Sequence, residues 1–214
     1  MEKRKTFHHQ LDELYLDLLR MSNLTLEVLE RTRAAFTELD GVKAGEIIAG
    51  DDEVDGFIKK IDENGIELLA TQAPVAVDLR TIVVIMRLAQ HLERVADLCV
   101  NISKAIVNLQ GYTLSDWIRD NMDEMFRRSS RMLMLAVESF RERNPAKAEQ
   151  LTEMDDTVDR INRAFLTSYD RESEEELELT IRVVMVARFL ERIADHAVDI
   201  GEQVRYMGTG EFAE

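Results

Sequence analysis

The chain has 214 residues, 45% hydrophobic and 32% charged, with a net charge of −15, two prolines, nine glycines and one cysteine. That length allows a sizeable core, the scarcity of helix breakers favours long helices over a strand-rich fold, and the lone Cys99 excludes an intramolecular disulfide and suits a reducing compartment. The acidic balance argues against nucleic acid and anionic membrane surfaces as direct partners and favours cations or basic proteins.

Helical periodicity runs through the chain. Helix one is expected from about Phe7 to Phe36, with Leu11, Leu14, Leu18, Met21 and Val28 inward. A turn at Leu39-Asp40-Gly41-Val42 leads to helix two, from about Lys43 to Thr71, with Ile47, Val54, Ile58, Ile61 and Leu68 inward. Pro74 ends it, Asp78 is the expected cap of helix three, and helix three reaches about Leu109 before Gly111. Helix four spans about Ser115–Arg143 and stops at Asn144-Pro145. Helix five runs from Pro145 to about Tyr169, with proline in its first turn. The acidic stretch 170–176 connects to helix six, about Leu177–Met207, closed by Gly208-Thr209-Gly210.

The N-terminus is basic but lacks the apolar core of a signal peptide. The run Ile82–Met86 is far short of the ~20 apolar residues of a membrane helix. Cys99 lies in an apolar helical stretch and reads as a small buried hydrophobe, and Met125, Met132 and Met134 read as helix-packing residues.

An internal repeat sets the architecture. Residues 89–104 and 187–202, at an offset of 98, share eight of sixteen residues: Ala89, Leu92, Glu93, Arg94, Ala96, Asp97, Val100 and Ile102 recur in the second segment. Asp51-Asp52-Glu53-Val54-Asp55 likewise resembles Asp155-Asp156-Thr157-Val158-Asp159. The expected fold is therefore all-α, six long helices forming two tandem three-helix units, residues 1–110 and 111–214.

The repeated motifs carry carboxylates. Leu88, Leu92, Val95, Cys99, Ile102 and Ile106 fall on one helical arc, and Glu93, Asp97 and Asn101 form a stripe beside it. The same register gives Glu191, Asp195, Asp199 and Glu202. Around the Pro74 turn, Asp55 and Glu93 are each 19 residues away, and Asp51 and Asp97 each 23. Equal separation from the turn of an antiparallel hairpin means equal height. Asp51, Asp55, Glu93 and Asp97 thus make one expected patch, with Asn101 beside it. Asp155, Asp159, Glu191, Asp195 and Asp199 make the second, centred on Glu175. Like charges at ~4 Å repel by about 1 kcal/mol even in water, so such a patch invites protonation or a cation. Magnesium, manganese, iron and zinc all suit carboxylates on two helices, and two nearby ions fit because carboxylates bridge. The plainer alternative is a solvated acidic face paired with Arg94, Arg192 or Lys104. The second patch is denser, since Asn101 and Lys104 in the first stand where Asp199 and Glu202 stand in the second. His8 and His9 read as solvated terminal residues. His91 and His196 neighbour the motifs, and His196 belongs to the outer shell at most.

Catalytic signatures are missing from the sequence: no glycine-rich phosphate loop, nucleophile elbow or cysteine–histidine arrangement. Neither Glu93 nor Glu191 has histidine three residues on, as a ferritin-like di-iron site requires. The expectation is a protein that is not an enzyme.

Gln72-Ala73-Pro74 with Asp78-Leu79-Arg80, then Leu92-Glu93-Arg94-Val95-Ala96-Asp97, resembles the first repeat of the PhoU family, and Leu190-Glu191-Arg192-Ile193-Ala194-Asp195 resembles the second. Where many members carry Glu-Arg-Ile-Gly-Asp, alanine stands at Ala96 and Ala194. The family's acidic pair in the second helix of each repeat maps to Asp51 and Asp55, and to Asp155 and Asp159. The resemblance covers nearly the whole chain. It implies pseudo-twofold symmetry and multinuclear metal clusters on the motif face, iron or zinc foremost, with magnesium, manganese or nickel as further candidates. It also implies a cytoplasmic, often homodimeric, negative regulator of phosphate uptake and phosphate-starvation signalling, linking a phosphate ABC-transporter ATPase to a sensor histidine kinase and so meeting the membrane only indirectly. Competing expectations are an accessory protein of a low-affinity phosphate permease, a metal-free helical adaptor and a two-metal phosphatase.

Overall fold

The computed structural model describes residues 2–167 and 174–211, and among them every regular element is a helix. These are α1 (Glu2–Glu38), α2 (Gly41–Ala49), α3 (Asp52–Gln72), α4 (Ala76–Asn108), α5 (Asp116–Glu142), α6 (Pro145–Ala148), α7 (Gln150–Thr167) and α8 (Glu174–Thr209). The expected helix two is α2 and α3, interrupted at Gly50-Asp51, and the expected helix five is α6 and α7, interrupted at Glu149. Six rod positions remain. The expected end of helix five at Tyr169, and residues 170–173 of the acidic connection, lie outside the described residues.

Helix ends follow local chemistry. Asp40 caps α2, its carboxylate accepting from the Val42 and Lys43 amides at 2.9 and 3.1 Å. Ser115 accepts from the Ile118 amide at the start of α5, and Asn144 caps α6 ahead of Pro145. Asp78 does not cap α4. That helix begins two residues earlier, behind Val75, and Asp78 sits uncapping in its first turn. Left-handed backbone closes α3 at Ala73 and α5 at Arg143.

The apolar stripes bury as their spacing requires. Leu14, Leu18, Met21 and Leu29 of α1, and Val54, Ile61 and Leu68 of α3, are buried; Leu11, Val28 and Ile58 are partly buried at the margin. All six residues of the expected α4 arc are buried, and so are Ala96, Leu98 and Val100. The buried surface of α4 is wider than one hairpin needs because α4 also packs along α8. Met125 and Met132 are core residues, but Met134 is exposed, on the outer face of α5. Cys99 is fully buried, and burial pushes its thiol pKa up to about 12, so it is chemically quiet.

Each half repeats one pattern: α1 and α2–α3 against α4, then α5 and α6–α7 against α8. The halves are joined rather than beaded. α4 lies along α8 and α1 along α5, and one hydrophobic core runs through both. Polar ties reinforce the second seam: Ser130 Oγ donates to Glu30 at 2.6 Å, and Arg33 pairs with Asp123 at 2.9 Å. Within the first half, buried Asp17 of α1 pairs with Lys60 of α3 at 2.8 Å and with Arg20 at 3.0 Å.

Candidate functional site

In the first half the hairpin brings the repeated carboxylates to one level, as their equal distances from the Pro74 turn require. In the second half they also share one field, although Glu175, the expected midpoint, lies inside α8 and residues 168–173 lie outside the described residues. In the first half, Asp51 stands at the break between α2 and α3, where Asp52, Glu53 and Asp55 fill the first turn of α3. Acidic side chains are favoured there by the helix dipole. Partial burial raises the Asp51 pKa, and the charges of Asp55 and Asp97 raise it further against Lys104. Glu93 of α4 is raised by burial and then by Asp97, with Arg94 opposing and Asp55 and Asp51 adding to the rise. The four carboxylates therefore share one field. Arg94 already neutralises part of it, 2.9 Å from Asp97 and 3.4 Å from Glu93. Asn101 is exposed one turn beyond.

The second half builds the same group from α7 and α8. Burial, then the charges of Asp195 and Asp159, push the Asp155 pKa up to about 6. Glu191, 7% exposed, is raised by burial and by Asp195, with Arg188 opposing. Desolvation and Asp159 raise Asp195. Arg188 pairs with Glu191, and Arg163 with Asp159 at 2.9 Å. Two oxygens nonetheless lack any hydrogen-bond partner while buried: Asp155 Oδ1 and Glu191 Oε2. Buried carboxylate oxygens carry a large cost unless something positive meets them. Both orphaned oxygens belong to the second cluster, so its residues suit a hard cation better than those of the first, which Arg94 already neutralises in part.

Asp199 faces elsewhere. It adds to the field on Asp195, but its Oδ2 lies 3.6 Å from Nδ1 of both His91 and His196. The adjacent His196 imidazole holds the Asp199 carboxyl below its usual range, with burial opposing. Burial holds His91 below the ordinary histidine value, with Asp199 opposing. The two imidazoles meet across the α4–α8 seam, Nδ1 to Nδ1 at 3.2 Å. Sequence reasoning did not pair them, because hairpin counting fixes heights only within one half. The repeat offers no help either: the offset of 98 carries His91 to Phe189 and Leu98 to His196.

The PhoU domain family matches residues 18–106 and 122–204. The chain is 32% identical over 211 residues to "Phosphate-specific transport system accessory protein PhoU homolog 2" of Mycobacterium tuberculosis, covering 98% of this chain and 99% of that protein. The crystal structure of PhoU from Pseudomonas aeruginosa superposes with a TM-score of 0.89 at 26% identity, covering 96% of this chain and 100% of that one. The phosphate transport system regulatory protein PhoU from Streptococcus pneumoniae gives 0.88 at 27% identity, covering 97% and 99%.

Proposed function

Because the chain belongs to the PhoU family, we propose that it is a metal-binding regulator of phosphate uptake that represses the phosphate-starvation response. The observation that carries the metal part is the second carboxylate cluster, with its buried, unpartnered oxygens on Asp155 and Glu191. Asp155, Asp159, Glu191 and Asp195 would hold the ions there, and Asp51, Asp55, Glu93 and Asp97 would hold them in the first half. A bound cation supplies positive charge that cancels carboxylate repulsion and ties α7 to α8, or α3 to α4. Apart from Asp51, at the break between α2 and α3, the cluster residues stand on helices, which keeps their spacing fixed. The role is regulatory: the protein acts as a cytoplasmic adaptor, as a homodimer, between a phosphate ABC-transporter ATPase and a sensor histidine kinase. The relatives' description as transport-system accessory proteins supports this reading over a permease partner. No described helix is long and apolar enough to cross a membrane, so contact with the bilayer runs through those partners.

Deleting the gene should raise phosphate-responsive expression in phosphate-rich medium, and restoring the wild-type chain should lower it again. Unchanged expression overturns the regulatory reading. Metal analysis of the protein purified without added metal tests the clusters separately: Asp155→Asn should lose more bound metal than Asp97→Asn, and equal retention by both overturns them.

A further inference from the structure

The seam between α4 and α8 holds a group of different chemistry from the two carboxylate clusters. His91 Nδ1 and His196 Nδ1 are 3.2 Å apart, and Asp199 Oδ2 is 3.6 Å from each. Two ligand atoms bound about 2.1 Å from a tetrahedral ion stand roughly 3.3–3.4 Å from one another. The three edges of this triangle therefore match one face of a tetrahedral coordination shell. Hydrogen bonding alone explains them poorly. One hydrogen can lie between the two nitrogens, and at 3.6 Å Asp199 makes only a long, weak contact with the imidazoles, chiefly that of His196. Three potential ligand atoms thus stand within 4.8 Å of one another with little hydrogen bonding among them.

We propose that His91, His196 and Asp199 form a further metal site, for a borderline transition ion such as Zn2+ or Co2+, that bridges the two halves of the chain. Imidazole nitrogen favours such ions more strongly than carboxylate oxygen does, so this site should prefer zinc or cobalt over magnesium by more than the carboxylate clusters do. An entry path exists. His91 and His196 line a cleft of about 420 Å³ together with Ile58, Asp62 and Glu93. Asp62 adds polar character there, with a buried Oδ1 that has no hydrogen-bond partner. Both histidines border that cleft, which has room for water or a small ligand beside the ion. The ligands come from both halves, His91 from α4 and His196 and Asp199 from α8, so the ion would pin one half to the other. This inference does not rest on the proposed regulatory role or on occupancy of the carboxylate clusters.

The test uses the full chain, stripped of metal with a chelator, and titrates Co2+ while recording the visible spectrum. One equivalent should produce the intense ligand-field bands of a tetrahedral ion; Zn2+ should abolish them and excess Mg2+ should not. His91→Gln and His196→Gln should each weaken this Co2+ binding by more than about tenfold. Asp97→Asn and Asp155→Asn, which touch only the carboxylate clusters, should keep the bands, as should a His8→Gln/His9→Gln double variant. Far-ultraviolet circular dichroism checks that the variants fold. A readout on the unaltered protein stands beside them: Zn2+ should shift the imidazole nitrogen resonances of both His91 and His196. Bands that survive both histidine substitutions, bands lost only in the terminal double variant, or unmoved His91 and His196 resonances overturn the site.

Discussion

Asp155 sits among Asp159, Glu191 and Asp195 with one buried oxygen unpartnered and a pKa pushed up to about 6 from 3.8, chiefly by burial. The folded value exceeds the unfolded one, so the folded chain holds this proton more tightly. The stability it contributes is fully present below about pH 4 and is lost as pH rises through about 6. Asp155→Asn should therefore stabilise the chelated protein at neutral pH, by about 1 kcal/mol once solvent screening is allowed for. With cation present the same substitution should lower the melting temperature, because a ligand that binds only the folded state stabilises it and the variant binds less. A melting temperature that falls in both conditions would show that Asp155 is an ordinary structural acid. The first carboxylate set was legible because one periodicity and the Pro74 turn fix the heights of Asp51, Asp55, Glu93 and Asp97, and the second followed from the repeat, except for Asp199, which turns to the histidines. Their energetics were not. Which oxygens are orphaned depends on where Arg94, Arg163 and Arg188 reach, and no spacing states that. The expected partner Arg192 is exposed, whereas Arg188, one turn earlier, pairs with Glu191.

Among the elements, α6, α7 and α8 meet at a point of close approach. A Cβ on Gly201 of α8 would stand 3.0 Å from the Ala148 Cβ and 2.7 Å from a methyl of buried Leu151. Ala148 has no rotamer with which to yield, so Gly201→Ala should cost about 1–3 kcal/mol. Gly56, inside α3, faces open space, and Gly56→Ala should stabilise by roughly 0.5–1 kcal/mol through helix propensity. Denaturant midpoints of the two variants, moving in opposite directions, check both. The same comparison marks what was readable at this scale. Helix order, approximate bounds and inward stripes followed from residue types at three- and four-residue spacing. The interruption at Gly50-Asp51 was also written in the sequence, as a glycine followed by an acidic first turn, but the apolar period continues across it and hides the break. The start of α4 at Ala76 was not readable. Asp78 has the chemistry of a cap, and the left-handed backbone at Ala73 and Ala76 places the helix start upstream of it.

At the scale of the whole molecule, two sequence repeats share one core. The α4–α8 and α1–α5 seams bury apolar surface of both halves, so neither half can lose its packing while the other keeps its own. Thermal unfolding should be one cooperative transition, with calorimetric and van't Hoff enthalpies equal. Two resolved transitions would mean that the seams are weaker than the cores they join. The seam also has a direction. Arg87 meets Gln203 at 3.1 Å while His91 meets His196, so positions rise on one helix as they fall on the other. The offset of 98 carries positions 91 and 196 onto 189 and 98, where Phe189 and Leu98 stand. That reciprocity is the mark of an isologous contact, the kind two identical subunits make about a twofold axis. The seam thus reads as an ancestral dimer interface inherited within a single chain by gene duplication and fusion. Two identical subunits would have been bound to carry the same side chains at both contacts. Fusion released that constraint, and the copies diverged, leaving apolar residues at positions 98 and 189 and two imidazoles at 91 and 196.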